Sequence, residues 1–326
     1  MTPPPGLIYY PDSRPGISRR RAGRGFTYKA PDGTTIDDRR ERKRIERLAV
    51  PPAYEKVWIS PEEKGHLQAT GYDARERKQY RYHPEFREHQ ERKKYDDLAA
   101  FGEALPRIRR VIREDLHGEA GERDFAIAAV LALIDRTAIR VGHEGYTVLN
   151  RTYGATTLKP RHLTMTEGAL ELKFRGKGGK KVRTMLRDKR LAKVLGQLHD
   201  LPGKALISWV DEAGAAHSVH SEEVNSRLSA IVGQPGITAK TFRTWAGSEA
   251  ALVAALQDGP ATIKTLSQAA AERLSNTPTI ARNSYIHPRV IDLAGTEADE
   301  RLALLQDLPE RAELRRAERA LLRLIG

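Results

Sequence analysis

The stretch ERDFAIAAVLALIDRTAIRVG, residues 122–142, limits the fold of this chain more than any other. Its apolar run AIAAVLALI (126–134) is nine residues long, too short to span a bilayer. A helix that is apolar on nearly every side has to be surrounded by protein. The stretch therefore predicts a long buried helix, ended by Gly142 as a C-terminal cap. A chain of 326 residues is long enough to build the shell that such a helix needs, and the length favours two domains.

The flanking sequence supplies that shell. From about Glu85, PEFREHQERKKYDDLAAFGEALPRIRRVIREDL carries apolar residues at helical spacing. Segments Ser221–Val232, Thr241–Leu256 and Ala261–Leu274 read as further helices, and 297–326 as an amphipathic helical tail rich in Leu and Arg. One β element interrupts them, ALELKFRGKGGKKVRTML (169–186). Leu170, Leu172 and Phe174 alternate with charged residues before a glycine-rich turn reverses the chain.

Ahead of residue 84 the texture differs. GFTYKAPDGTTI reads as a hairpin around Pro-Asp-Gly, and KVWIS and GHLQATGYD as short strands. The expected fold class is α+β. A small β-rich N-terminal domain, 1–90, joins through a linker near 84–95 to a larger, mainly α domain, 91–326, with a short antiparallel β-hairpin or sheet.

Lys and Arg number 56 against 43 acids, a net charge of +13, and twelve of these cations crowd between Arg14 and Arg47 with five acids. In a chain without membrane features that excess points to a polyanion, most simply nucleic acid. There are no cysteines, which excludes thiol nucleophiles, Cys-based zinc sites and disulfides, and fits a reducing cytoplasm. MTPPPGLIYY lacks the pattern of a secretory signal. No phosphate-cradling GxxxxGK[ST], HExxH or GxSxG occurs. An enzyme with this sequence is expected to use no ATP, metal or thiol, and so no cofactor.

SNTPTIARNSYIHPRV (275–290) holds Tyr285 near the end of a short helix, entered by Thr277-Pro278 and stopped by His287-Pro288. Taken singly, Tyr285 reads as packing, Arg140 as a cation at a helix C-terminus, Lys177 as an exposed turn residue and Arg243 as surface. Taken together they fit phosphodiester chemistry. A phenol with a pKa near ~10 needs help to attack phosphorus, and the phosphorane oxygens gain negative charge. Two arginine forks clamp non-bridging oxygens, and a lysine on a hairpin donates a proton to the leaving oxygen. A covalent phosphotyrosine conserves the bond energy, so resealing needs no ATP.

The order Arg140, Lys177, Arg243, Asn276, Tyr285 resembles the type IB DNA topoisomerases, in their small poxvirus-like and bacterial branch. The matching segments are IRVGHEGYTVLN, LKFRGKGGK, KTFRTW and SNTPTIARNSYIHP, with GHLQATGYDARERKQYRYHPEFR in the N-terminal part. The likeness spans roughly residues 50–290. It implies the tyrosine recombinase/topoisomerase IB-like fold, with 91–326 as catalytic domain and a two-domain, C-shaped clamp closing on supercoiled duplex DNA. By resemblance Tyr285 is the nucleophile, forming a 3′-phosphotyrosyl link and releasing a 5′-hydroxyl. Arg140 and Arg243 stabilise the phosphorane and Lys177 protonates the 5′ oxygen, with Lys240 open to an assisting role. Tyr146 matches a position near the scissile phosphate.

Many relatives carry His where this chain has Asn276, whose neutral amide donates a hydrogen bond but no proton. Oxyanion stabilisation is therefore the role expected of it. In RERKQYRYH, Arg75, Arg77, Lys78 and Arg81 are expected at phosphates, and Tyr80 and Tyr82 against DNA. The resemblance implies a monomer in the cytoplasm, associated with the nucleoid. Two alternatives stay open, a tyrosine site-specific recombinase and a non-catalytic basic DNA-binding protein. Recombinases typically carry His three residues before the second arginine, where this chain has Lys240, and their N-terminal domain is usually helical.

Overall fold

Arg19, Arg20 and Arg21 sit in a strand, although their run of charge gives no strand signal. The computed structural model, which describes residues 3–166, 169–234 and 236–326, with the Tyr146 side chain also outside the described residues, places them in β1 (Ile17–Ala22). β1 pairs along its length with β2 (Gly25–Lys29), in register Arg19 to Tyr28 and Arg21 to Phe26. GFTYKAPDGTTI does turn back on itself, since Gly33 N–H bonds the Ala30 carbonyl and Ile36 N–H the Tyr28 carbonyl, each at 2.9 Å. Its return arm is a single bridge, however, and β2 finds its full partner in β1.

After α1 (Arg39–Arg47), capped by Asp38 through the Glu41 N–H at 2.7 Å, come β3 (Glu55–Ile59), β4 (Leu67–Tyr72) and β5 (Lys78–Tyr82). The five strands form one antiparallel sheet in the order β2-β1-β3-β4-β5. Ile17, Tyr28, Val57, Ile59 and Ala69 make its core, and Ile45 is the one residue that α1 buries there. A helix anchored by one apolar residue leaves Arg39, Arg40 and Arg47 exposed, while Arg44 turns in and donates to the Ser60 carbonyl at 2.8 Å.

Two compact units divide the chain, the first ending at Lys94 and the second running Tyr95–Gly326. The segment expected as a linker, 84–95, is helical and forms the start of α2 (Pro84–Asp115). Leu98, Phe101, Leu105, Ile108 and Ile112 recur every three or four residues along it and are buried in the core of the second unit. Against them lies α3 (Arg123–Thr137), with Phe125 to Leu131 all buried, as an all-round apolar helix requires.

That helix is shorter than its sequence suggests. It stops at Thr137, with Ala138 left-handed (φ 53°) and its N–H on the Ile134 carbonyl at 2.8 Å. Tertiary partners take over the backbone beyond. Ala155 N–H bonds the Arg140 carbonyl at 2.8 Å and Thr156 N–H the Val141 carbonyl at 2.7 Å. Gly154 permits this approach, since a Cβ there would stand 2.5 Å from the Arg140 oxygen. Arg140 thus lies in an extended strap rather than in the last turn of a helix.

α4 (Glu144–Asn150) follows, then a three-stranded antiparallel sheet of β6 (Leu163–Thr166), β7 (Ala169–Arg175) and β8 (Lys181–Leu186). The expected β7–β8 hairpin is present, with Leu170, Leu172, Phe174 and Val182 turned into the core. Next come α5 (Lys189–His199), the small pair β9 (Ser208–Val210) and β10 (Ala216–Ser218), and α6 (Ser221–Val232). α7 (Ala239–Ala255) packs against α8 (Ile263–Leu274) and α9 (Pro278–Tyr285), which precede α10 (Pro288–Ile291).

The tail is two short helices, α11 (Ala298–Ala303) and α12 (Arg316–Ile325), rather than one stretch. Pro309 and the left-handed Asp307 (φ 46°) and Glu313 (φ 68°) break the backbone between them. α12 is held by buried charge. Glu318, fully buried, accepts from Arg109 at 2.8 Å, Arg315 at 2.8 Å and Trp245 Nε1 at 3.3 Å, while Arg109 also pairs with Asp135. Among the described residues no helix is long and apolar enough to cross a membrane.

Candidate active site

Arg243 lies one turn into α7, on the face that also buries Phe242, Trp245 and Ala246, and it is 3% exposed. Its guanidinium donates to two main-chain carbonyls, those of Ala138 and of Leu274 (3.0 Å from Nη2). Those carbonyls are free because Ala138 closes α3 in a left-handed conformation and Leu274 ends α8. Nε is buried and has no hydrogen-bond partner among the described residues. Burial, with Arg140 nearby, brings Arg243 down to about 10, which leaves it cationic at neutral pH.

Asn276 follows Ser275, whose left-handed backbone (φ 51°) ends α8. Its Oδ1 accepts from Arg140 Nη2 at 3.1 Å, so the side chain is tied to the first arginine. Its Nδ2 is buried without a partner among the described residues.

Tyr285 is the last residue of α9. The helix entry matches its sequence signals: Thr277 caps the Ile280 N–H at 3.4 Å and Pro278 occupies the first helical position. The side chain is 8% exposed and packs with Ala138, Ala246 and Leu274. The Arg243 guanidinium carbon stands 5.1 Å from the ring centroid. Burial by itself pushes the phenol up, but Arg243, Arg140 and Lys240 outweigh it and hold Tyr285 below the ordinary tyrosine range.

The structure therefore brings together Arg140, Arg243, Asn276 and Tyr285, from a strap, the turn between α8 and α9, and the two helices α7 and α9. Lys240, in the first turn of α7, is exposed and adds its charge to the phenol's surroundings. Lys177 stands apart. It opens the 3-10 turn Lys177–Gly179 between β7 and β8, is exposed, and has no hydrogen bond to the other four among the described residues. Position 146 belongs to α4, and the Tyr146 side chain lies outside the described residues. Sequence reasoning missed the Ala138 and Leu274 carbonyls, because main-chain acceptors leave no mark in residue identity.

In the first unit, β5 presents Tyr80 and Tyr82 on one face, their rings parallel within 8° and 6.1 Å apart, with Tyr80 half exposed. The cations around them are engaged. Lys78 pairs with Asp12 at 2.6 Å and Arg77 with Asp73 at 2.7 Å, while Arg81 donates to the Ala49 carbonyl at 2.7 Å. The Arg75 side chain is exposed in the β4–β5 turn.

Residues 83–282 match the family model described as eukaryotic DNA topoisomerase I, catalytic core, and residues 25–73 match bacterial DNA topoisomerase IB, N-terminal domain. DNA topoisomerase 1B of Acanthamoeba polyphaga mimivirus is 26% identical over 293 residues, 85% of this chain and 87% of that protein. DNA topoisomerase 1B of vaccinia virus (strain Copenhagen) is 21% identical over 249 residues, 74% of this chain and 76% of the viral one. A solved structure of XerH site-specific recombinase bound to difH substrate overlaps at a TM-score of 0.37 and 14% identity, over 62% of this chain and about half (52%) of that one. So remote an overlap has no bearing on function.

Proposed function

The chain belongs to the DNA topoisomerase I family, in its type IB branch, and from that membership we propose that it relaxes supercoiled duplex DNA through a transient 3′-phosphotyrosyl bond. Tyr285 Oη, having lost its proton to solvent, attacks the scissile phosphorus as phenolate and forms a phosphoester, while the bond from phosphorus to the 5′ oxygen breaks. Lys177, reaching in from its hairpin tip, gives its proton to that oxygen. Arg140 and Arg243 hold the non-bridging oxygens, and Asn276 Nδ2 donates a further neutral hydrogen bond. The 5′-hydroxyl, once the strand has rotated about its intact partner, reverses the step and releases Tyr285.

One observation carries this reading. Two buried donors beside the phenol, Arg243 Nε and Asn276 Nδ2, have no partner among the described residues. A buried donor left unsatisfied costs about 1–3 kcal/mol, and a phosphodiester seated against Tyr285 satisfies both. Burial would raise the phenol's pKa, and the cations Arg243, Arg140 and Lys240 more than offset it. Positive side chains supply the charge stabilisation, so the proposed reaction requires neither divalent metal nor ATP.

The N-terminal residues act as the DNA-clamping part in this proposal, with Tyr80 and Tyr82 against the duplex. The enzyme works as a monomer. The test is relaxation of a supercoiled plasmid in EDTA without nucleotide. Relaxation of both negative and positive supercoils is expected, and Tyr285→Phe should abolish it. A requirement for magnesium, ATP or paired recombination sites contradicts the proposal, as does strong DNA binding with no relaxation.

A further inference from the structure

We infer that Ser248 is a positioning residue for the nucleophile, holding the main chain on both sides of Tyr285 from the helix that carries Arg243. The inference rests on Tyr285 being the attacking group. Ser248 lies on α7, five residues beyond Arg243, and is fully buried. Its Oγ donates to the Tyr285 carbonyl at 3.3 Å and accepts the His287 N–H at 2.9 Å.

Those two groups need a partner for a specific reason. Tyr285 ends α9, so its carbonyl is among those that no intrahelical N–H reaches. The common remedy, a left-handed residue just past the helix, is absent here, because Ile286 is extended (φ −111°, ψ 128°). The hydroxyl of Ser248 replaces that cap from a neighbouring helix. Gly247 makes the approach possible, since a Cβ there would stand 2.6 Å from the Tyr285 carbonyl oxygen and 3.1 Å from the Tyr285 Cβ.

The consequence is geometric. A single rigid element, α7, bears both the guanidinium that faces the Tyr285 ring and the hydroxyl that fixes the Tyr285 backbone. The separation of 5.1 Å between that guanidinium and the ring centroid is therefore set by spacing along one helix rather than by the flexible end of α9. Transesterification demands alignment of the phenol oxygen with the breaking bond, and misplacement by about 1 Å is enough to cost ~10²-fold in rate.

The experiment is single-turnover formation of the covalent adduct on a duplex oligonucleotide, at saturating enzyme and well below the melting temperature. Ser248→Ala should slow adduct formation and religation together by about 10- to 100-fold, with DNA affinity within about twofold of wild type. Leu252→Ala, a buried truncation on the same helix, controls for lost stability alone and should leave the rate unchanged. Ser248→Cys, which keeps the side-chain shape with a somewhat larger atom and weakens both hydrogen bonds, is the variant to read should the alanine form not fold. A serine variant that cleaves within about twofold of wild type overturns the inference, as does equal slowing by Leu252→Ala. A wild type that forms no adduct at Tyr285 overturns the nucleophile assignment instead, so the two failures are distinct.

Discussion

At position 243 a guanidinium sits almost wholly out of water, fixed by the carbonyls of Ala138 and Leu274, with its Nε–H unpartnered among the described residues. Its nearness to Tyr285 fixes a pH dependence. A phenol held below its ordinary pKa supplies more phenolate at a given pH, so adduct formation should rise with a midpoint below 10. Arg243→Ala removes the largest of the lowering influences. It should move that midpoint to higher pH and slow cleavage by ~10²- to 10³-fold, as a pH series of single-turnover rates will measure. Asn276 does not titrate, so it contributes nothing to the profile. Asn276→His should add a dependence near ~6.5 that the wild-type profile lacks. Tyr285 was legible in the sequence as the end of a short helix, because Thr277-Pro278 and His287-Pro288 are local signals. Its chemical surroundings were not legible, since they depend on where α3 and α8 leave their last carbonyls.

Elements tell the same story at greater length. The all-round apolar character of α3 was readable, and its burial followed. Its end was not, because the strap at Arg140 exchanges helical bonds for those from Ala155 and Thr156, more than a dozen residues further on. β1 was hidden by its arginines, which alternate only once paired with β2. The break in the tail between α11 and α12 was partly signalled by Pro309. What Glu318 does was invisible, being set by Arg109 and Arg315 in the folded chain. Burial would raise that carboxyl, yet these arginines hold it at about 2, below the ordinary 4.5. A depressed carboxylate contributes stability that is whole above the unfolded pKa and is lost as pH falls through the folded one. Between pH 4.5 and about 2 the protein should therefore lose on the order of 3 kcal/mol from this group. Glu318→Gln should flatten that part of the acid-unfolding curve, as denaturant melts at stepped pH will read, while lowering stability at pH 7.

For the molecule as a whole, the net charge of +13 sets the expectation for DNA affinity. Each neutralised phosphate should contribute about −0.9 to the slope of log affinity against log salt. Arg75→Ala, at an exposed cation beside β5, should reduce the slope by about one and leave the cleavage rate at saturating enzyme unchanged. The charge excess itself was plain from composition. Which cations are available was not, because Lys78 and Arg77 are matched by Asp12 and Asp73 only after folding. All of this depends on one bond between protein and DNA. The most direct measurement is to trap the complex with denaturant during relaxation, digest it, and map the DNA-linked peptide by mass spectrometry. A 3′-phosphate carried on Tyr285, with a free 5′-hydroxyl on the other fragment, is the predicted result. An adduct on another residue, a 5′-linked adduct, or none during active relaxation would contradict the account.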